Sequence, residues 1–113
     1  MPQNRKKLIE LIIGTMSNAI VHEILRIASK NKEIASYYKK EIENAVTISK
    51  KYRKKINPTG KSLPDKDVFY IRKKIILRAR TGLKIRISKG YKNIDLTLIE
   101  ELADKSLKDL NLG

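Results

Sequence analysis

Val68-Phe69-Tyr70-Ile71-Arg72-Lys73-Lys74-Ile75-Ile76-Leu77-Arg78-Ala79-Arg80-Thr81-Gly82-Leu83-Lys84-Ile85-Arg86-Ile87-Ser88 mixes β-formers with cations more densely than any other part of the chain, and it sets the expected fold class. Val68 to Ile71 and Ile75 to Leu77 are rich in β-branched and aromatic residues, and Leu83 to Ser88 alternates strictly between apolar and polar, the period of a half-buried strand. With Arg80, Thr81 and Gly82 as a three-residue loop and Gly82 left-handed, Ala79 faces Leu83, Leu77 faces Ile85 and Ile75 faces Ile87, while Arg78 meets Lys84 on the other side. With Lys89 to Lys92 as a second loop, Ile87, Ile85 and Leu83 face Ile94, Leu96 and Leu98, and Arg86 meets Asp95. The expectation is a small antiparallel sheet with one apolar face. Arg78, Lys84 and Arg86 share the opposite face, with Arg80 at the loop, as a basic platform.

Upstream of this stretch the period changes. Leu8, Ile9, Ile12, Ile13, Met16, Ile20, Ile24 and Ile27 recur at intervals of three and four, which predicts a helix from Lys6 to Ser29 with Asn4 placed to cap it. Asn31 can cap a second helix that runs through Ile34, Tyr38, Ile42, Val46 and Tyr52 to Ile56. The short break between them predicts an antiparallel hairpin, with Ile9, Ile13 and Val21 left over as core or as a protein interface. Asn57-Pro58-Thr59-Gly60 and Leu63-Pro64-Asp65 stop any helix. Farther on, Thr97-Leu98-Ile99-Glu100 has the spacing of a capping box, and Ile99, Leu102, Ala103, Ser106 and Leu110 continue at helical intervals. The expected class is therefore α+β: a helical hairpin over residues 1–56, a linker over 57–66, and a basic β-sheet with a short C-terminal helix over 67–113.

The chain has 113 residues and a formal net charge of +14, and the excess is local. Residues 50–92 hold sixteen basic and two acidic side chains, whereas residues 93–113 hold two and five. A surface adapted only to heat would balance its signs. A surface polarised in this way attracts polyanions, nucleic acid first among them. The candidate contacts are Lys50, Lys51, Arg53, Lys54 and Lys55 at the end of the second helix, Arg72, Lys73 and Lys74, the platform residues Arg78, Arg80, Lys84 and Arg86, and Lys89 and Lys92. Tyr91, between those last two lysines, is placed to stack on an unpaired base; Phe69 reads as core, and Tyr37, Tyr38 and Tyr52 as packing.

Other chemistries find little support. Without cysteine there is no disulfide framework and no thiolate zinc site, and His22, the single histidine, has no positioned nucleophile or co-ligand in the sequence. Asp95, Glu100, Glu101, Asp104 and Asp109 could hold magnesium but read as the solvated face of a helix. Gly60-Lys61-Ser62 ends like a phosphate loop, yet Lys55 stands where that motif needs glycine. The apolar run after the basic start is short and broken by Glu10, and no segment matches the ~18 apolar residues of a membrane span, so the expectation is a soluble cytoplasmic protein. A membrane-surface helix would want Trp or Phe beside the cations, and the chain has no Trp and one Phe. Neither a catalytic residue nor a cofactor or metal is expected.

Several segments, in order, resemble the archaeal ribonuclease P protein component 4 family. Lys32-Glu33-Ile34-Ala35-Ser36-Tyr37-Tyr38-Lys39 and Ile48-Ser49-Lys50-Lys51-Tyr52-Arg53-Lys54 are similar to segments of its two N-terminal helices, while Phe69-Tyr70-Ile71-Arg72-Lys73-Lys74 and Gly82-Leu83-Lys84-Ile85-Arg86-Ile87 are similar to its zinc-ribbon strands. Ile71 and Lys74 stand where the family has its first cysteine pair, and the second pair, expected near Leu98 to Glu101, is missing. The resemblance implies an accessory, non-catalytic subunit that binds ribonuclease P RNA and precursor tRNA during tRNA 5′ maturation and pairs with a small β-barrel subunit, component 1. It also implies that Arg72, Lys73, Lys84 and Arg86 touch RNA, and that the ribbon holds together without zinc. The alternatives are a sequence-nonspecific chromatin protein, another RNA-binding protein such as a ribosomal protein, and a small metal-dependent nuclease using the acidic cluster.

Overall fold

Asn4 and Asn31 start the first two helices by supplying side-chain acceptors to backbone donors that have no partner inside a helix. The Asn4 amide oxygen accepts from the Lys6 N–H at 2.8 Å, and that of Asn31 accepts from Glu33 at 2.9 Å and Ile34 at 3.2 Å. In the computed structural model, which describes residues 4–57 and 61–112, these helices are α1 (Arg5–Ala28) and α2 (Lys32–Ile56). Pro58, Thr59 and Gly60 of the expected linker lie outside the described residues.

The expected sheet is absent among the described residues. Asp65–Ser88 is one continuous helix, α3, and the arrangement is all-helical rather than α+β. The reason lies in a second period within the same residues: Ile71, Ile75, Ala79 and Leu83 recur every fourth position, and all four are fully buried against the rest of the chain. A β-branched residue loses at most about 0.7 kcal/mol of helix propensity, whereas burying one such side chain contributes roughly 1.5–3 kcal/mol. Burial on one helical stripe therefore outweighs local β preference. The alternation from Leu83 to Ser88 does not mark two faces of a strand, since Leu83 points inward while Ile85 and Ile87 are exposed.

Each loop of the expected sheet is accordingly replaced. Arg80, Thr81 and Gly82 are interior helical residues, and Gly82 is not left-handed. A Cβ on Gly82 would sit 3.5 Å from the Val21 side chain, an ordinary van der Waals contact, so this position lies against α1 and has room for a methyl group. Asp65 and Asp67 occupy the first turn, where the helix dipole favours anions. The helix stops at Lys89 and Gly90; the glycine takes φ +99 and its N–H donates to the Ile87 carbonyl at 3.0 Å. Arg86 does not meet Asp95. That carboxylate accepts instead from the Thr97 N–H at 2.9 Å and from its hydroxyl, and these bonds hold Asp95 below the usual carboxylate range. The expected capping box is not formed, because the Thr97 side chain makes no cap bond to α4 (Leu98–Asp109).

The chain runs up, down, up and down. Thr15 of α1 and Ser49 of α2 share a hydroxyl contact, as antiparallel neighbours do, whereas Arg5 pairs with Asp67 and Val21 lies against Gly82, so α3 runs parallel to α1. α4 returns along α3, with Asp104 bound to Arg72. α1 packs on all three other helices, while α2 and α3 do not pack on each other. Ile9, Ile13 and Val21 are accordingly core. By length and composition α1 does pass as a membrane span, contrary to the reading of its apolar run as too short, because its isoleucines and leucines outweigh the small and polar residues between them and bring the mean hydropathy of the window to 1.5. Most of that window is buried inside the fold.

Candidate nucleic-acid interface

The stripe that buries Ile71, Ile75, Ala79 and Leu83 fixes what α3 shows to solvent. On the far side, at intervals of three and four, lie Lys66, Phe69, Lys73, Leu77, Arg80, Lys84 and Ile87. At 1.5 Å per residue such a helix is about 36 Å long. From Arg72 to Lys92 the sequence contains nine cations and no acidic residue. Lys73 and Lys84 are exposed, Arg80 is half-buried, and none of the three makes an ion pair among the described residues. Between them stand exposed apolar side chains, of which Phe69 is the most open at 70 %. Phe69 is therefore not core; its spacing of three and four from Arg72 and Lys73 would have shown this had the segment been read at the helical period.

The remaining cations of α3 divide by side. Arg72 donates to Asp104 from Nε at 2.7 Å, a bond that raises the arginine and holds the carboxyl below its usual range. Arg78 reaches Glu10 at 3.4 Å, and Glu10 also accepts from the Tyr70 hydroxyl. These two arginines pin α3 to α4 and α1. Lys74 lies 5.7 Å from the centre of the Tyr70 ring, and half-buried Arg86 donates to the Gly82 carbonyl at 3.1 Å. Lys89, Tyr91 and Lys92 follow the helix and are exposed. Tyr91 and Lys92 also line a cleft with Tyr38 at the α1–α2 turn, so they sit at one end of the molecule.

The α2 cluster is not brought into the same surface. Lys50, Lys51, Lys54 and Lys55 are exposed, but they stand on α2, which does not pack on α3. Arg53 is buried. Its Nε donates to the Leu110 carbonyl at 3.0 Å, and its terminal nitrogens reach the Lys61 carbonyl at 2.7 Å and the Asn57 side chain, tying the end of α2 to the linker and to the chain end after α4. Burial pushes its pKa down. Arg53 thus serves the fold, where sequence reading placed it against RNA.

No family model, curated protein or solved structure matches the chain.

Among the described residues, His22 and the acidic cluster do not come together. His22 stacks on Tyr38 with ring centres 5.5 Å apart, its Nδ1 is buried without a hydrogen-bond partner, and burial lowers its pKa against the opposing pull of Glu41. No three histidine or acidic side chains come together in a metal-holding group among the described residues, and Asp104 of the acidic cluster is engaged by Arg72. What the surface offers is a row of cations with apolar side chains between them, which suits a phosphate backbone with partly unstacked bases.

Proposed function

We propose that this chain is an RNA-binding protein that lays the outward face of α3 along a phosphate backbone, serving as an accessory subunit of a ribonucleoprotein. The observation that carries this reading is the acid-free run from Arg72 to Lys92, presented on a helix whose opposite stripe is the core. RNA is favoured over duplex DNA because Phe69 and Tyr91 stand exposed beside the cations, and an aromatic face finds unpaired bases in structured RNA but few in a duplex. The resemblance to ribonuclease P component 4 now rests on α2 alone, since the segments similar to ribbon strands belong to a helix. It still names the RNAs to try first, ribonuclease P RNA and precursor tRNA. A protein partner would meet α2, where Ile34, Tyr37 and Ile48 are exposed.

Competition at one fixed salt concentration tests the reading. A structured RNA such as precursor tRNA should displace duplex DNA of equal length, and RNA affinity should fall about 10³-fold between roughly 50 and 200 mM salt if about six phosphates are neutralised. Equal competition by the two would favour the chromatin alternative.

A further inference from the structure

Beside the outward face of α3, where α4 packs on it, lies a cleft of about 330 Å³. That volume is at the low end of the ~300–1,000 Å³ typical of small-ligand sites. Its floor is apolar, from Ile76 and Leu77, and the Phe69 ring stands open at its edge. Lys73 and Arg80 border it from α3, one turn to either side of the floor, while Arg72 is held in place by Asp104. Glu100, in the first turn of α4, supplies the one acidic group in the lining, and its carboxylate makes no hydrogen bond or ion pair among the described residues. The cleft thus combines an aromatic face, cations and a carboxylate that Arg72 attracts without hydrogen-bonding to it.

We infer that this cleft takes a single unpaired base of the bound RNA, guanine in preference to the other three. The proposal rests on the RNA-binding reading above and adds a base-reading site to it. The base stacks on Phe69 over Ile76 and Leu77, and the phosphates on either side of it face Lys73 and Arg80. An ionised carboxylate accepts and cannot donate. Guanine presents its N1–H and N2–H donors side by side on the Watson–Crick edge, matching the two oxygens of Glu100. Adenine and cytosine offer one amino group beside an acceptor, and uracil one N–H between two carbonyls.

The test uses the full chain and five RNA hairpins at one salt concentration: a fully paired parent and four that carry one bulged nucleotide, G, A, C or U. The bulged-G hairpin should bind roughly 5- to 150-fold tighter than the parent, the range expected of one stacked base. Phe69→Ala should remove that gain, so that the bulged-G hairpin and the parent bind alike. Phe69→Leu keeps the apolar bulk without the ring and should behave in the same way. Glu100→Gln should keep a gain for bulged RNA but lose the preference for G over A. The proposal is overturned if the wild type binds all five hairpins equally, if Phe69→Ala and Phe69→Leu retain the gain, or if the four bulges bind alike. Tight, salt-sensitive binding of the parent with no effect of a bulge would remove the cleft alone, whereas no salt-sensitive binding of any hairpin would remove the RNA-binding reading as well.

Discussion

Arg53 shows how far a residue's charge is from its role. In sequence it is one of five cations at the end of a helix, a context that suggests a polyanion. In the fold its guanidinium meets carbonyls from Lys61 and Leu110, the second of them 57 positions along the chain, and nothing local announces that those carbonyls need a donor. Truncating Arg53→Ala leaves buried acceptors unpaired and should cost about 2–3 kcal/mol of stability, the scale of hydrogen bonds to a charged donor. A shift of the urea midpoint with unchanged RNA affinity under native conditions is the expected result. Weakened RNA affinity at unchanged stability would return Arg53 to the interface. Asn4 and Asn31, by contrast, were legible as caps because their acceptor reaches donors only two or three residues away.

At the level of whole helices, α1 and α2 could be read because period and caps agree. α3 could not, because two periods coexist in it. The alternation of Leu83, Ile85 and Ile87 favours a strand locally, while the fourfold spacing of Ile71, Ile75, Ala79 and Leu83 has its effect only when α1 and α4 supply a surface to bury it. Much of the same ambiguity hid the site: in a strand Phe69 can be core, but in this helix it lies outward with Lys73 and Arg80. Thr81 separates the two readings. It is exposed and interior to α3, so Thr81→Pro removes a helical hydrogen bond and clashes with the preceding turn, at a cost of about 3 kcal/mol or more. The same proline would be tolerated in a three-residue hairpin loop. A large drop in the melting midpoint, together with weaker helical circular dichroism, is expected; an unchanged midpoint would contradict a continuous α3.

Across the molecule, α1 is the axis that the other helices cover, and its place in the middle explains both its apolar composition and the separation of the two basic clusters. Positive charge concentrates between residues 50 and 92 in the sequence, but packing places the end of α2 and the outward face of α3 on helices that do not touch each other. If the α3 face, and not net charge, binds RNA, then two triple variants that remove equal charge must behave differently: Lys73→Ala with Arg80→Ala and Lys84→Ala on α3, and Lys50→Ala with Lys54→Ala and Lys55→Ala on α2. The slope of log affinity against log salt should flatten by about 2–3 units in the α3 variant, close to one unit for each phosphate no longer neutralised, and stay near the wild-type value in the α2 variant. Equal flattening in both, or flattening in the α2 variant alone, would show that the α3 face is not the RNA-binding surface.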